Sequence, residues 1–524
     1  MIRRTRRHLA VALACAAALV TAACSGPVAG TAAGPDGPAG PPVPGGTARI
    51  LTINEPRGLD PAVLSNAWVF DSVLGNALYG TLMTSDARTG EIAYQMAESF
   101  TTDDGGATFT LKLREGLRFT DGSPLDARAV KVNWDRIADP DTASSSRRYA
   151  VLISDTEVLD ARTLKITLRT PIPSYAQNIV ISGMNWIASP DALRKGAQAF
   201  DAEPVGAGPF TLDSWRRQDK IELVKNPGYW DAPKPYLDGI TLRSTSDTMQ
   251  RLSTLLSGGT DVVIDTSWKT IHKAREAGYA TDVVRMSGGQ SLTMNMRRPP
   301  FDDLRARKAV SAALDLEATN LSQYNGHGEI PKRLFADTSP FYSDIELRTH
   351  DKAAAQELFD ELAAEGKRVS FTFTAQDSTE SQIVAASVQA QLAAFDNVDV
   401  EIRTIASAET ASIYASHDFD MLISSALIVD PEPQLWSVFH GESAANVSGI
   451  DDPQLNAALE RGRTSTSVED RKAAYKVVQE RIAALVPVIF YTRAAPGVET
   501  AGNVHGVRQY GSGSLLPEEL WMER

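Results

Sequence analysis

Thiols are nearly missing from this chain. Its 524 residues hold two cysteines, Cys15 and Cys24, both within the first 24 positions. Everything after Cys24 is therefore without a disulfide, a reactive thiol or a Cys-liganded metal. Positive charge is short as well: 52 Lys and Arg face 65 Asp and Glu, a formal −13. Four of those Arg (Arg3, Arg4, Arg6, Arg7) stand in the first eight residues, and without them the balance is 48 against 65, or −17. No basic run remains to replace condensed counterions, which excludes nucleic acid as a partner. The seven His (His8, His272, His327, His350, His417, His440, His505) show no HxxxH or HxH spacing, so neither a metal nor a cofactor is read from them.

Catalytic signatures are also wanting. There is no G-x-S-x-G elbow, no Walker loop and no dinucleotide-binding glycine run. Gly206-Ala207-Gly208 runs into Pro209-Phe210, so it reads as a tight turn entering a strand over 210–215. The acid pairs Asp103-Asp104, Asp302-Asp303 and Asp451-Asp452 fall in turn-like sequence, where Asp carboxylates bond nearby backbone N–H groups. Binding without bond chemistry is the reading this leaves, and the chain is not read as an enzyme.

What is present begins with a leader. Residues 1–8 are basic and 9–20 (LAVALACAAALV) are apolar. A twelve-residue helix spans about 18 Å, short of a hydrocarbon core of about 30 Å. Basic flank, apolar stretch and small residues together predict a signal peptide over 1–23. Thr21-Ala22-Ala23-Cys24 resembles the bacterial lipobox, which makes Cys24 the lipidation residue; Arg3-Arg4 also permits a twin-arginine reading. Residues 24–46 are nearly all Gly, Pro and Ala, a composition that predicts a tether. The expected location is the extracytoplasmic face of the cell membrane, held by an acyl lipid.

Beyond residue 46 the pattern alternates. Residues 47–53, 107–113, 163–168 and 398–405 have the period of two of half-buried strands. Residues 305–318, 352–364, 381–395 and 469–485 place apolar side chains at helical spacing. The class is α/β with several sheets.

Several segments then resemble one family, in order. They include Leu59-Asp60-Pro61, Leu78-Tyr79-Gly80-Thr81-Leu82, Met96-Ala97-Glu98-Ser99-Phe100 and Leu113-Arg114-Glu115-Gly116-Leu117-Arg118-Phe119. Asn133-Trp134-Asp135-Arg136, Pro204-Val205-Gly206-Ala207-Gly208-Pro209-Phe210, Asn226-Pro227-Gly228-Tyr229-Trp230 and Arg298-Pro299-Pro300-Phe301-Asp302-Asp303 follow. The chain resembles the extracytoplasmic solute-binding proteins of ABC importers, peptide/nickel class (family 5). That resemblance implies a two-lobed periplasmic-binding-protein fold, type II-like and of the large cluster, with an additional α/β domain. Lobe I would hold 47–78, 203–296 and 489–524, the extra domain 79–202, and lobe II 297–488. The crossings would lie near 292–297 and 489–493.

The same resemblance directs attention to 418–433. Peptide-binding relatives hold an α-amino group with an Asp in this stretch, and an ungapped match puts Val429 there with Asp430 one residue on. Asp430 is the candidate ligand anchor, with a turn Asp before Pro431 as the alternative. Asn66, Trp68, Asn295, Arg297, Trp436 and Tyr491 are further ligand-binding candidates from their places near the lobe junctions. The implied function is capture of a solute, peptide or peptide-like, for an ABC permease and ATPase, by a monomer. The alternative is a lipoprotein of the same fold acting as an interaction or regulatory partner in cell-envelope biogenesis. For the leader, Cys24→Ser should move the protein from the membrane fraction to the soluble one, while Cys15→Ser leaves it in place; immunoblotting of the two fractions checks this.

Overall fold

The computed structural model describes residues 40–66, 69, 71–406 and 409–523. The leader, Cys15, Cys24, the first part of the tether and Trp68 lie outside the described residues. Two sheets organise the rest. The first has seven strands, in the spatial order Ala280–Val283, Gly497–Thr500, Val262–Asp265, Thr47–Thr52, Gly239–Ser244, Lys220–Lys225 and Phe210–Arg216. Thr47–Thr52 lies near its middle, parallel to both neighbours, and Ala48, Ile50 and Leu51 are buried there. A strand covered on both faces needs such side chains.

The second sheet has five strands, ordered Val398–Ile405, Val369–Gln376, Met421–Ile428, Ser287–Met294 and Val488–Thr492. Between Tyr79 and Phe210 the chain adds a four-stranded antiparallel layer, ordered Ala97–Thr101, Thr108–Leu113, Thr163–Leu168 and Ile153–Val158. Its second strand shows why alternation was legible: Phe109, Leu111 and Leu113 are buried while Thr108, Thr110 and Lys112 are half-exposed. Helix Ala127–Ala138 is capped by Asp126, which accepts from the Ala129 N–H, and buries Trp134. The Trp134 indole donates to the Met184 carbonyl at 2.8 Å, so its polar edge is not left bare. This layer and the first sheet share one continuous apolar core, whereas the second sheet is packed by two others.

Two expectations need correction. The helix anticipated over 305–318 is two helices, Leu304–Ala313 and Leu316–Tyr324. Leu314 is extended, and the Asp315 carboxylate accepts from the Glu317 and Ala318 N–H groups, so a local cap outcompetes continuation. The crossings are also displaced. Ser287–Met294 pairs along its whole length with Met421–Ile428, and 488–492 pairs on its other side. Both segments therefore belong inside the second sheet, and the chain passes between sheets at 284–286 and 493–496. The glycines of 287–290 (SGGQ) are needed for close approach. A Cβ on Gly288 would stand 2.1 Å from the Ala426 carbonyl oxygen, at φ +68.

Arg493 pins this crossing. It is 6% exposed, and its guanidinium lies within 3.0–3.5 Å of the carbonyl oxygens of Met286, Gly288, Arg333, Leu334 and Phe335. Its Nε meets Glu329 at 3.1 Å, and the Trp268 indole donates to its own carbonyl at 2.8 Å. A paired contrast tests the packing at the crossing. Gly288→Ala combines a left-handed φ with a backbone clash and should cost about 3 kcal/mol or more. Gly258→Ala has a similar φ (+72) and open space around it, so it should cost about 1 kcal/mol. Urea unfolding of the two variants checks the difference.

Candidate functional site

Strand Met421–Ile428 is the middle strand of the second sheet, and after 429–430 the chain enters helix Pro431–Phe439, which is kinked at Glu432 (φ −92, ψ 131). Pro431 suits the first helical position because it has no N–H to satisfy. Asp430 caps the helix, accepting from the Glu432 N–H at 3.0 Å. Arg471, from helix Val468–Leu485, donates to the same carboxylate at 2.6 Å and lies over the Phe341 ring. The Asp430 side chain is thus part of the scaffold of this turn.

Glu432 is in a different position. It is 2% exposed, and one of its oxygens lies 3.4 Å from Arg463 Nε while the other has no partner. Burial pushes its carboxyl up to about 8, against the pull of Arg463. Arg463 stacks over Trp436, whose indole donates to Glu460 at 2.6 Å.

A small, partly enclosed cavity of about 10 Å³, room for about one water, lies here. Leu427, Val429, Asp430, Glu432, Pro433 and Gln434 line it from the second sheet's side. Tyr149, Gln177 and Ile181 line it from the inserted layer, and Ser512 from the C-terminal segment. Three orphaned polar atoms belong to this lining: Tyr149 Oη, Gln177 Oε1 and Glu432 Oε2. Leaving such atoms buried and unbonded costs about 1–3 kcal/mol each, so a place with three is a place built for something to bind. Their chemistry is that of acceptors, with one phenol able to donate. The lining suits a cationic or N–H-rich group.

Two roomier clefts, of about 380 and 540 Å³, lie elsewhere. In the first, Glu55 accepts from the Trp215 indole and the Gln218 N–H. In the second, Asp303 is held by Arg305 and Lys367. Among the described residues, neither cleft is lined by an orphaned polar atom. We therefore place the candidate site at the small cavity despite its volume. Among the described residues, no group of three His, Cys, Asp or Glu side chains is arranged to hold a metal ion.

The residues expected at the site are dispersed. Asp430 is in the lining. Asn66 is one layer behind it: its amide donates to the Val180 carbonyl at 2.8 Å and to Tyr510 Oη at 3.0 Å, and accepts from Ser514 Oγ at 2.7 Å. Asn295 ties down the His417 and Phe419 carbonyls, and Arg297 those of Asn446 and Val447. Tyr491 donates to Gln290 at 2.5 Å, and Trp436 stacks on His440. Each of these five is bonded or stacked within the fold, and none of them lines the cavity. Tyr149, Gln177 and Glu432 went unnoticed as site residues. An acid between two prolines directly after a strand was a usable signal for Glu432; nothing local marks Tyr149 or Gln177.

Comparison with known proteins is informative at this point. Residues 91–446 match the model of bacterial extracellular solute-binding proteins, family 5. The chain is 30% identical over 303 residues to the glutathione-binding protein GsiB of Escherichia coli (strain K12), and equally to that of Shigella flexneri. Each match covers 57% of this chain and 58% of the relative, so the chain spans just over half the length of these curated relatives. Among solved structures, it is similar to the Helicobacter pylori binding protein DppA in complex with the peptide STSA (TM-score 0.79, 22% identity, 92% of this chain and 99% of that one). It is also similar to NikA from Brucella suis in complex with Fe(III)-EDTA (TM-score 0.77, 21% identity, 91% and 100%). At such identities these two comparisons establish the fold.

The turn at Asp430 makes a stability prediction. Asp430→Ala removes the cap and leaves Arg471 unpaired in a half-buried place, and should cost about 3 kcal/mol or more. Asp430→Asn keeps a good cap and should lose less, by about 1 kcal/mol. Denaturant unfolding of both variants measures the gap.

Proposed function

The chain belongs to the bacterial extracellular solute-binding proteins, family 5, and from that premise we propose that it captures a peptide-like solute bearing an ammonium group and delivers it to an ABC permease and ATPase. It does so without bond chemistry, anchored to the extracytoplasmic face of the membrane through lipid on Cys24. The observation that supports this reading is the set of orphaned acceptors at the cavity between the second sheet and the inserted layer. Glu432 Oε2 would take the ammonium, with Gln177 Oε1 and Tyr149 Oη beside it. The glutathione bound by the GsiB relatives and the peptide bound by DppA are both ammonium-bearing solutes of this class.

Asp430 keeps its place in this reading as the residue that shapes the turn on which Glu432 stands. The solute enters when the two sheet bodies part at 284–286 and 493–496, and contacts from both sides favour the closed form. The negative surface keeps the cleft attractive to cations at long range.

Glu432 gives the test its sign. Burial pushes its carboxyl up to about 8, and an ammonium requires the ionised form. At pH 7, binding should therefore release close to one proton, and affinity should rise with pH up to about 8. Calorimetric titration with glutathione and with Ser-Thr-Ser-Ala, in buffers of different ionisation enthalpy, reads that proton. Glu432→Gln should abolish the release and weaken binding roughly thirty-fold or more. Independently of any solute, a carboxyl raised in the folded state stabilises the fold at low pH and loses that contribution as pH rises from about 4.5 to about 8. Glu432→Gln should thus gain about 1–3 kcal/mol at pH 8.5 and nothing at pH 4.5. Absence of any melting shift with every probe would sink the receptor reading.

A further inference from the structure

A second contact between the two bodies involves imidazoles. His272 is on helix Trp268–Glu276, which packs against the first sheet through Ile271 and Ala274. His327 follows helix Leu316–Tyr324, which packs in the core of the second sheet. The loop carrying His327 is held by a reciprocal pair of bonds between the Asn320 side chain and the backbone of Gly328, each 2.9 Å. The two rings lie face to face, with centroids 3.4 Å apart and planes 16° from parallel. Each ring comes from a different body.

We propose that the His272–His327 stack is a proton-sensitive clasp, holding the bodies together while at least one ring is neutral and releasing them when both are charged. The inference goes beyond solute capture and requires only that the bodies can part. His is the side chain whose ordinary titration falls between pH 5 and 8. Two imidazolium rings at this separation repel, so the closed form excludes the second proton. One excluded proton changes the closed-to-open ratio by up to about tenfold per pH unit below about 6.5. Closure is therefore favoured above that pH and lost below it.

Charged groups surround the two rings. Glu276, on the same helix, lies 3.2 Å from His272 Nε2. Glu329, two residues past His327, is bound by Arg285 and Arg493, both at 3.1 Å, so its charge is already matched. Lys269 and Lys273 share the helix of His272 and add to the repulsion against a second proton. Glu380, at the start of helix Thr379–Leu392, faces Asp265, Arg251 and Lys269 across the same junction, and burial raises it. Its proton acts in the opposite sense, favouring closure on acidification. Removing one histidine leaves Glu380 in place, so the two effects can be separated.

The test follows the imidazole resonances of the full chain, labelled with ¹⁵N-histidine, from pH 8 to pH 5. In the wild type the two rings should titrate as a coupled pair, in two separated steps. His272→Phe should leave His327 with a single uncoupled step, and His327→Phe should do the same for His272. Amide exchange in helix Trp268–Glu276 and in 325–329, corrected for the intrinsic pH dependence, should accelerate between pH 7.5 and 5.5 in the wild type. In both Phe variants it should stay flat or slow. Independent titration of the two rings overturns the proposal, and so does coupled titration with unchanged exchange. A peptide-like solute that raises the melting temperature while the rings titrate independently removes the clasp and leaves the receptor; coupled rings without any solute effect do the reverse.

Discussion

A buried guanidinium decides how this molecule is put together. Arg493 stands where the chain returns from the second sheet to the first, in reach of five carbonyl oxygens and one carboxylate. A guanidinium carries five N–H donors in a fixed fork and no acceptor, so it can satisfy several main-chain carbonyls that meet at one point. Those carbonyls come from both the outgoing segment 286–288 and the loop 333–335, where the Leu334 carbonyl also accepts from the Gly288 N–H at 2.8 Å. Glu329 balances the charge and receives a further bond from Arg285. The two crossing segments, 284–286 and 494–496, lie just outside this knot and are joined by a bond from the Val284 N–H to the Pro496 carbonyl at 3.0 Å. The Gly288 backbone, pressed against Ala426, is part of the same constraint.

Two acids two residues apart illustrate how position divides labour. Asp430 meets an N–H at the head of a helix and a guanidinium across a short gap, and both bond its carboxylate. Glu432 lies past Pro431 with its carboxyl turned inward, and the nearer guanidinium, Arg463, is shared with the Trp436 ring while Arg471 bonds Asp430. Desolvation then prevails over attraction, and the carboxyl holds its proton. A charged brace and an ionisable acceptor arise from the same local sequence.

Legibility in the sequence followed exposure. The segment 108–113 was readable because one face is buried and the other is not, while 398–405 was readable from its charges alternating with Val and Ile. The break at Leu314 was hidden because apolar spacing continues across it and the decisive event is one carboxylate bonding two N–H groups. Strand Ser287–Met294 was hidden by the glycines that let it approach its neighbours. At the site, Asp430 could be reached from the family pattern, whereas Tyr149 and Gln177 are more than 250 residues away from it in sequence. Asn66, Asn295, Arg297 and Tyr491 were chosen for their places near the junctions. A buried polar side chain near a junction can face a cavity or tie down backbone carbonyls, and only its bonding partners distinguish the two.

The order of strands in the first sheet has a consequence for how the protein is made. Thr47–Thr52 finds its parallel neighbours only at Gly239–Ser244 and Val262–Asp265, and Val262–Asp265 is completed by Gly497–Thr500. Almost the whole polypeptide must therefore be available before the sheet that begins it can close. Pairings this remote demand costly loop closure and make for slow folding. During that interval the early apolar strand is uncovered, and an emerging chain is open both to wrong pairings and to passage through a narrow channel in an extended state.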